Sequence, residues 1–267
     1  MELPTRTVVI DIFISSLVEF VGTTLFVYLS CGSAVAIPND NVTQLSQSAV
    51  TRISLTFGFS LAAMIYASAN VSGGHINPAV TFSFVITRNL SIARGLFYVI
   101  SQLLGGILGA ALLRGSQPDD QIFNLGATIP NEALDDGQVF LIEFVLTFAL
   151  VYVVHYVANL KLDKNEYGQH MGRLGPLAIG LIVLAGHLYA VPLTGPSMNP
   201  ARTFGPAVVS GAWDRQWLYW LAALAGSMAG GFFYYLCNIK LAQGTSIYDR
   251  RKEKEEKEQE LHEMNAS

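Results

Sequence analysis

Two copies of one short pattern carry most of the chemistry in this sequence. Ser72-Gly73-Gly74-His75-Ile76-Asn77-Pro78-Ala79-Val80-Thr81-Phe82 is echoed over residues 194–204, which hold Asn199-Pro200-Ala201. Asparagine is a favoured N-cap and proline a favoured first helical residue, so each triplet starts a helix. About ten residues follow each asparagine before the chain breaks, at Arg88-Asn89 and at Gly211. At 1.5 Å per residue that is roughly 15 Å, half of a hydrocarbon core. These segments are therefore expected to be re-entrant half-helices. If they enter from opposite sides, their N-termini meet at the midplane, where Asn77 and Asn199 each offer an amide donor and two positive dipole ends converge. The glycine-rich lead-ins, Gly73-Gly74 and Gly195, would expose backbone carbonyls along a lumen, and irregular backbone at that depth is tolerated only where it lines a cavity or is buried in protein. Such a centre would repel a cation or hydronium and let neutral water pass and reorient.

Other reactive side chains suggest no catalysis. Glu19 and Glu143 could form an acid–base pair, but no nucleophile–base set and no metal cluster accompanies them, so a structural role is expected. The two cysteines, Cys31 and Cys237, sit inside apolar runs and read as small packing residues. No metal, cofactor or catalytic residue is expected. The net charge of -4, with no basic stripe, points away from nucleic acid.

The elements that must position these residues are apolar. The chain is 51% hydrophobic and 13% charged, against a charged share of about 25% in soluble domains. Several runs reach the length needed to span a bilayer, and six spanning segments can be read, roughly residues 12–35, 49–69, 92–113, 138–157, 177–191 and 217–241. No cleavable leader is evident before the first run. Residues 249–263 form a mixed-charge run that reads as a solvated helix or a disordered tail.

Self-similarity organises the whole. Glu19-Phe20-Val21-Gly22-Thr23 is echoed by Glu143-Phe144-Val145-Leu146-Thr147, Gly58 by Gly180, and Gly105 and Gly109 by Gly226 and Gly230, at nearly one offset. Each copy holds three spans, an odd number, so the second must be inverted relative to the first. The expected fold is an all-α membrane protein of six transmembrane helices plus two re-entrant half-helices, arranged as two inverted three-helix repeats. Residues 1–115 form the first repeat, 116–137 an extracellular connecting loop, 138–243 the second repeat and 244–267 a cytoplasmic charged tail. The glycine pairs spaced by four let helix backbones approach closely in lipid. Arg88 and Arg94 lie between spans two and three, and Lys161, Lys164 and Arg173 between spans four and five, whereas 37–50 and 115–139 hold no Lys or Arg. The positive-inside rule then puts both chain ends in the cytoplasm. Asn41-Val42-Thr43 is an N-glycosylation sequon in a loop expected outside, although Asn89-Leu90-Ser91 and Asn265-Ala266-Ser267, expected inside, match it by chance.

With its paired Asn-Pro-Ala motifs in inverted repeats, the chain resembles the aquaporins of the major intrinsic protein family over nearly all its length except the tail. Within the family it is similar to the water-selective branch and, loosely, to animal water channels. The resemblance implies a passive water channel in the cell membrane that excludes protons and ions, with water as permeant, and a homotetramer with one pore per subunit. It implies an outer constriction at Phe57, His187, Pro196 and Arg202, and hydrogen bonds from Glu19 and Glu143 that hold the re-entrant loops. The partner position of Arg202 in the first repeat is Val80. Glycerol-conducting relatives usually carry glycine where His187 stands and aspartate where Thr203 stands, and both differences favour water. Many relatives carry cysteine, alanine or serine at the Pro196 position, so this proline is a departure. A facilitator of glycerol or urea, an ion-coupled transporter and a junctional protein with a closed pore remain alternatives.

Overall fold

The computed structural model describes residues 6–35, 45–118, 124–158 and 174–243. Asn41, the loop with Lys161, Lys164 and Arg173, and the tail from residue 244 lie outside them. All regular structure among the described residues is helical: α1 (Arg6–Val35), α2 (Gln47–Ser72), α3 (Pro78–Ile86), α4 (Ile92–Gly115), α5 (Asp136–Ala158), α6 (Gly175–Ala190), α7 (Pro200–Ser210) and α8 (Gln216–Gln243).

Local chemistry sets the helix ends. Ser46 caps α2 by accepting from the Ala49 N–H at 3.2 Å, and Ser91 caps α4 by accepting from the Arg94 N–H at 3.3 Å. Gly73 stops α2 in the left-handed conformation, φ 93°, and its N–H donates to the Ala69 carbonyl at 3.1 Å. The apolar residues of these helices do not all turn inward. Phe13, Leu141 and Ile92 are 68%, 61% and 78% exposed, an outer surface that water would penalise and lipid tails accept.

Helices α1, α2, α4, α5 and α8 are long and apolar enough to cross a membrane. The expected span at 177–191 is the exception. Helix α6 has 16 residues, about 24 Å of rise. It ends in a turn at 191–194 whose Leu193, Thr194 and Gly195 N–H groups all donate to the Ala190 carbonyl. That turn gives up helical length to feed the second re-entrant segment.

The packing repeats itself. Helix α1 lies on α4 as α5 lies on α8, and α2 meets α6 between the two units. Glycines make these contacts possible. A Cβ on Gly105 or Gly109 would strike the carbonyls of Phe20 and Thr24 in α1, and one on Gly226 or Gly230 those of Phe144 and Phe148 in α5. Gly58 and Gly180 face each other's carbonyls where α2 crosses α6. The short helices are interleaved: α7 packs chiefly on α4 and α3 chiefly on α8, each on a spanning helix of the other unit. The result is two inverted three-helix repeats, each with a half-helix folded back into it.

Candidate functional site

The half-helices are 9 and 11 residues long, about 14 and 16 Å. Each begins at its Asn-Pro. Asn77 Oδ1 accepts from the Ala79 N–H at 2.8 Å, and Asn199 Oδ1 from the Ala201 and Arg202 N–H groups at 3.0 and 3.3 Å. Proline at the first position wastes no donor, since that N–H would be unpaired in any case.

Buried carboxylates hold the backbone that leads into each asparagine. Glu19, fully buried in α1, accepts at Oε1 from Ser72 Oγ (2.6 Å) and the His75 N–H (2.9 Å). Its Oε2 accepts from the Ile76 N–H (2.6 Å) and Gln102 Nε2 (2.8 Å). Glu143 in α5 accepts from Thr194 Oγ1 at 2.7 Å, from the Ser197 N–H at 3.1 Å and from the Met198 N–H at 3.2 Å. A tyrosine braces each loop as well: Tyr98 donates to the Ser72 carbonyl at 2.8 Å, and Tyr219 donates to the Thr194 carbonyl. A carboxylate offers about four acceptor sites and no donor, which suits a loop whose N–H groups would otherwise be stranded at membrane depth.

The two halves meet at the asparagines. Asn77 Nδ2 donates to the Met198 carbonyl at 2.8 Å, and Asn199 Nδ2 donates to the Ile76 carbonyl at 2.9 Å. Each asparagine thus binds the residue just before the other one. Ile76 and Met198 both have φ of 53°, a conformation that costs about 1–2 kcal/mol outside glycine. The carboxylate bonds to their N–H groups and the asparagine bonds to their carbonyls hold them there. Each amide nitrogen carries two hydrogens and spends one on this cross-link, which leaves one to donate elsewhere.

Arg202, the third residue of α7, is 4% exposed. Its Nη1 donates to the Gly126 carbonyl at 2.8 Å, its Cζ lies 4.8 Å from the Phe57 ring centroid, and its Nε has no partner. Phe57 in turn stacks on His187, centroids 4.1 Å apart. His187 Nδ1 lies 2.9 Å from the Val183 carbonyl. A carbonyl only accepts, so Nδ1 carries the proton, and in the neutral ring the unpartnered Nε2 becomes an acceptor. His187, Pro196 and Arg202 line a cavity of about 170 Å³, together with Gly126 and Gly195. A second cavity of about 130 Å³ lies against Gly73, Gly74, His75, Asn77 and Val80. The structure therefore brings Phe57, His187, Pro196 and Arg202 to one cavity and its wall, with the asparagine centre between that cavity and the second.

Sequence reasoning missed several participants. Gly126 belongs to the connecting loop, and no local signal marks it as the acceptor for Arg202. Gln102 could have been suspected as a polar residue inside an apolar run. Tyr98 and Tyr219 stand at the same repeat offset as the matched glycines and were open to the same comparison. Among the described residues, no group of three or more His, Cys, Asp or Glu side chains is placed to hold a metal ion.

Comparison with known proteins places this arrangement among related chains. The family model described as Major intrinsic protein matches residues 8–234. Aquaporin-4 of Bos taurus and of Homo sapiens are each 40% identical to this chain over 226 residues, 82% of this chain and 65% of theirs. The match thus spans less than two thirds of the length of those animal relatives. A probable aquaporin TIP-type of Medicago truncatula is 37% identical over 231 residues, 84% of this chain and 86% of its own. Among solved structures, the aquaglyceroporin from Plasmodium falciparum has the same fold, with a TM-score of 0.68 at 23% identity over 85% of this chain and 94% of that one.

Proposed function

The chain belongs to the major intrinsic protein family, and on that premise we propose that it is a passive water channel, conducting water down osmotic gradients and excluding protons and ions. It is a channel, not an enzyme. One observation carries the reading: the opposed half-helix N-termini are locked by reciprocal asparagine bonds, with a cavity on either side.

In this reading Asn77, Pro78, Ala79, Asn199, Pro200 and Ala201 form the pore centre. A water molecule there accepts from the free amide hydrogens of both asparagines, so its own hydrogens point outward along the file. A hydrogen-bonded wire for protons is broken at that point, and two helix dipoles oppose a cation. Phe57, His187, Pro196 and Arg202 form the outer filter. Water donates to His187 Nε2 and accepts from the Arg202 guanidinium, whereas the stacked Phe57–His187 pair leaves little room for a carbon backbone. Glu19 and Glu143 position the loops and touch no permeant.

The cell membrane, cytoplasmic termini, a homotetramer and the division into repeats at 1–115 and 138–243 complete the proposal. Stopped-flow light scattering on proteoliposomes tests it. Rapid osmotic shrinkage with a low activation energy and no glycerol uptake is expected. Glycerol entry at a comparable rate, or shrinkage no faster than in empty vesicles, overturns it.

A further inference from the structure

A groove outside the pore has the shape and charge of a lipid site. It runs between the end of α3 and the second half of α8, holds about 560 Å³, and is lined by Ile86, Arg88, Met228, Ala229, Phe232 and Tyr235. Its apolar walls face outward, Met228 and Phe232 being 52% and 56% exposed. We propose that this groove binds an anionic phospholipid, the acyl chain lying on Met228 and Phe232 and the phosphate on the Arg88 guanidinium.

Charge singles out Arg88. The described residues contain two ion pairs, Arg94 with Asp11 and Arg215 with Asp136. Arg88 takes part in neither. It is exposed and holds φ of 61°, a left-handed turn that carries it off the end of α3. The polar groups around it are used up within that turn. Thr87 Oγ1 donates to the Ser83 carbonyl at 2.8 Å and accepts from Asn89 Nδ2 at 3.2 Å, and the Arg88, Asn89 and Leu90 N–H groups all donate to carbonyls of α3. The guanidinium is thus the charge that the groove presents. A planar, always-charged fork matches phosphate geometry, and an aromatic hydroxyl such as Tyr235 suits the headgroup depth. On the orientation proposed above this is the cytoplasmic leaflet, which carries the anionic lipids.

The test is native mass spectrometry of the purified full-length chain from mixed micelles of phosphatidylglycerol and phosphatidylcholine. The wild type is expected to retain phosphatidylglycerol over phosphatidylcholine by about five-fold, the contribution of one interfacial arginine. Arg88→Gln should bring that ratio near one, and Ala229→Phe, which fills the groove, should reduce retention of both lipids. Arg94→Gln, whose native partner is Asp11, should leave the ratio unchanged. A wild type without preference, an Arg88→Gln variant that keeps it, or an Arg94→Gln variant that loses it equally overturns the site. The Arg88 arm decides alone if the Ala229 variant fails to fold. None of these outcomes bears on water conduction.

Discussion

Replacing Glu19 by glutamine keeps the shape of the side chain and removes half of its acceptors. Four donors converge on Glu19: Ser72 Oγ, the His75 and Ile76 N–H groups and Gln102 Nε2, all within 2.6–2.9 Å. An amide has one oxygen, so one side of the fan must face an NH₂ group. Hydrogen bonds to a charged acceptor contribute about 1.5–3 kcal/mol each, so two lost bonds cost about 3–6 kcal/mol. Part of that is recovered, because a neutral amide is easier to bury and the Ser72 hydroxyl can turn to accept from it. A net loss of about 2–4 kcal/mol corresponds to a fall in unfolding midpoint of about 5–15 °C for a chain of this size. Glu143 receives three donors at 2.7–3.2 Å, so Glu143→Gln should cost less. The Ile76 carbonyl, once its N–H is loosened, no longer sits fixed beneath Asn199, and osmotic permeability should fall several-fold in Glu19→Gln. Thermal unfolding in detergent and stopped-flow shrinkage of proteoliposomes measure the two effects. A Glu19→Gln variant with wild-type midpoint and permeability, or a Glu143→Gln variant hurt more than it, would refute the reasoning.

Other perturbations address other parts of the site. Substituting His187→Gly together with Arg202→Val should open the outer constriction to glycerol and admit protons, read by glycerol-driven swelling and a pH-sensitive dye; unchanged exclusion of both would contradict the roles given to these residues. Gly106→Ala drives a methyl group into the Ala201 carbonyl at the start of α7, at a cost of about 1–3 kcal/mol. Its water permeability should drop at equal membrane abundance, and a fully active variant would mean that α7 shifts freely. Cys31 is buried, and neither it nor Cys237 lines the cavity of the filter residues. Mercurial treatment should leave permeability close to the untreated value, and a complete block would place a reactive thiol in the lumen.

Much of the fold was legible because membrane insertion imposes a simple grammar. Apolar length marked the helices, and the Asn-Pro pairs marked the half-helices to within a residue or two. One span, α6, is shorter than the others for a local reason: its C-terminal turn leads into the second re-entrant segment. The site was legible where the repeats duplicate it, as with Glu19 and Glu143. It was illegible where a contact is made once and across the sequence. The Gly126 carbonyl that receives Arg202 lies 76 residues away on a connecting loop, and nothing in the composition of that loop announces it. The exchange by which Asn77 bonds to Met198 and Asn199 to Ile76 needed coordinates too, because a sequence places the asparagines at one depth without saying what their amides face.

Arg202 and Val80 occupy matching places in the two halves, one in the cavity that His187 lines and the other in the cavity on the far side of the asparagines. A conduit assembled from two identical polypeptides would be obliged to carry the same lining at both mouths. Joining the halves in a single chain lifts that obligation, so one entrance can act as the sieve while the other stays a plain antechamber. In the channel proposed above, traffic remains reversible in either direction, yet inspection happens at one gate.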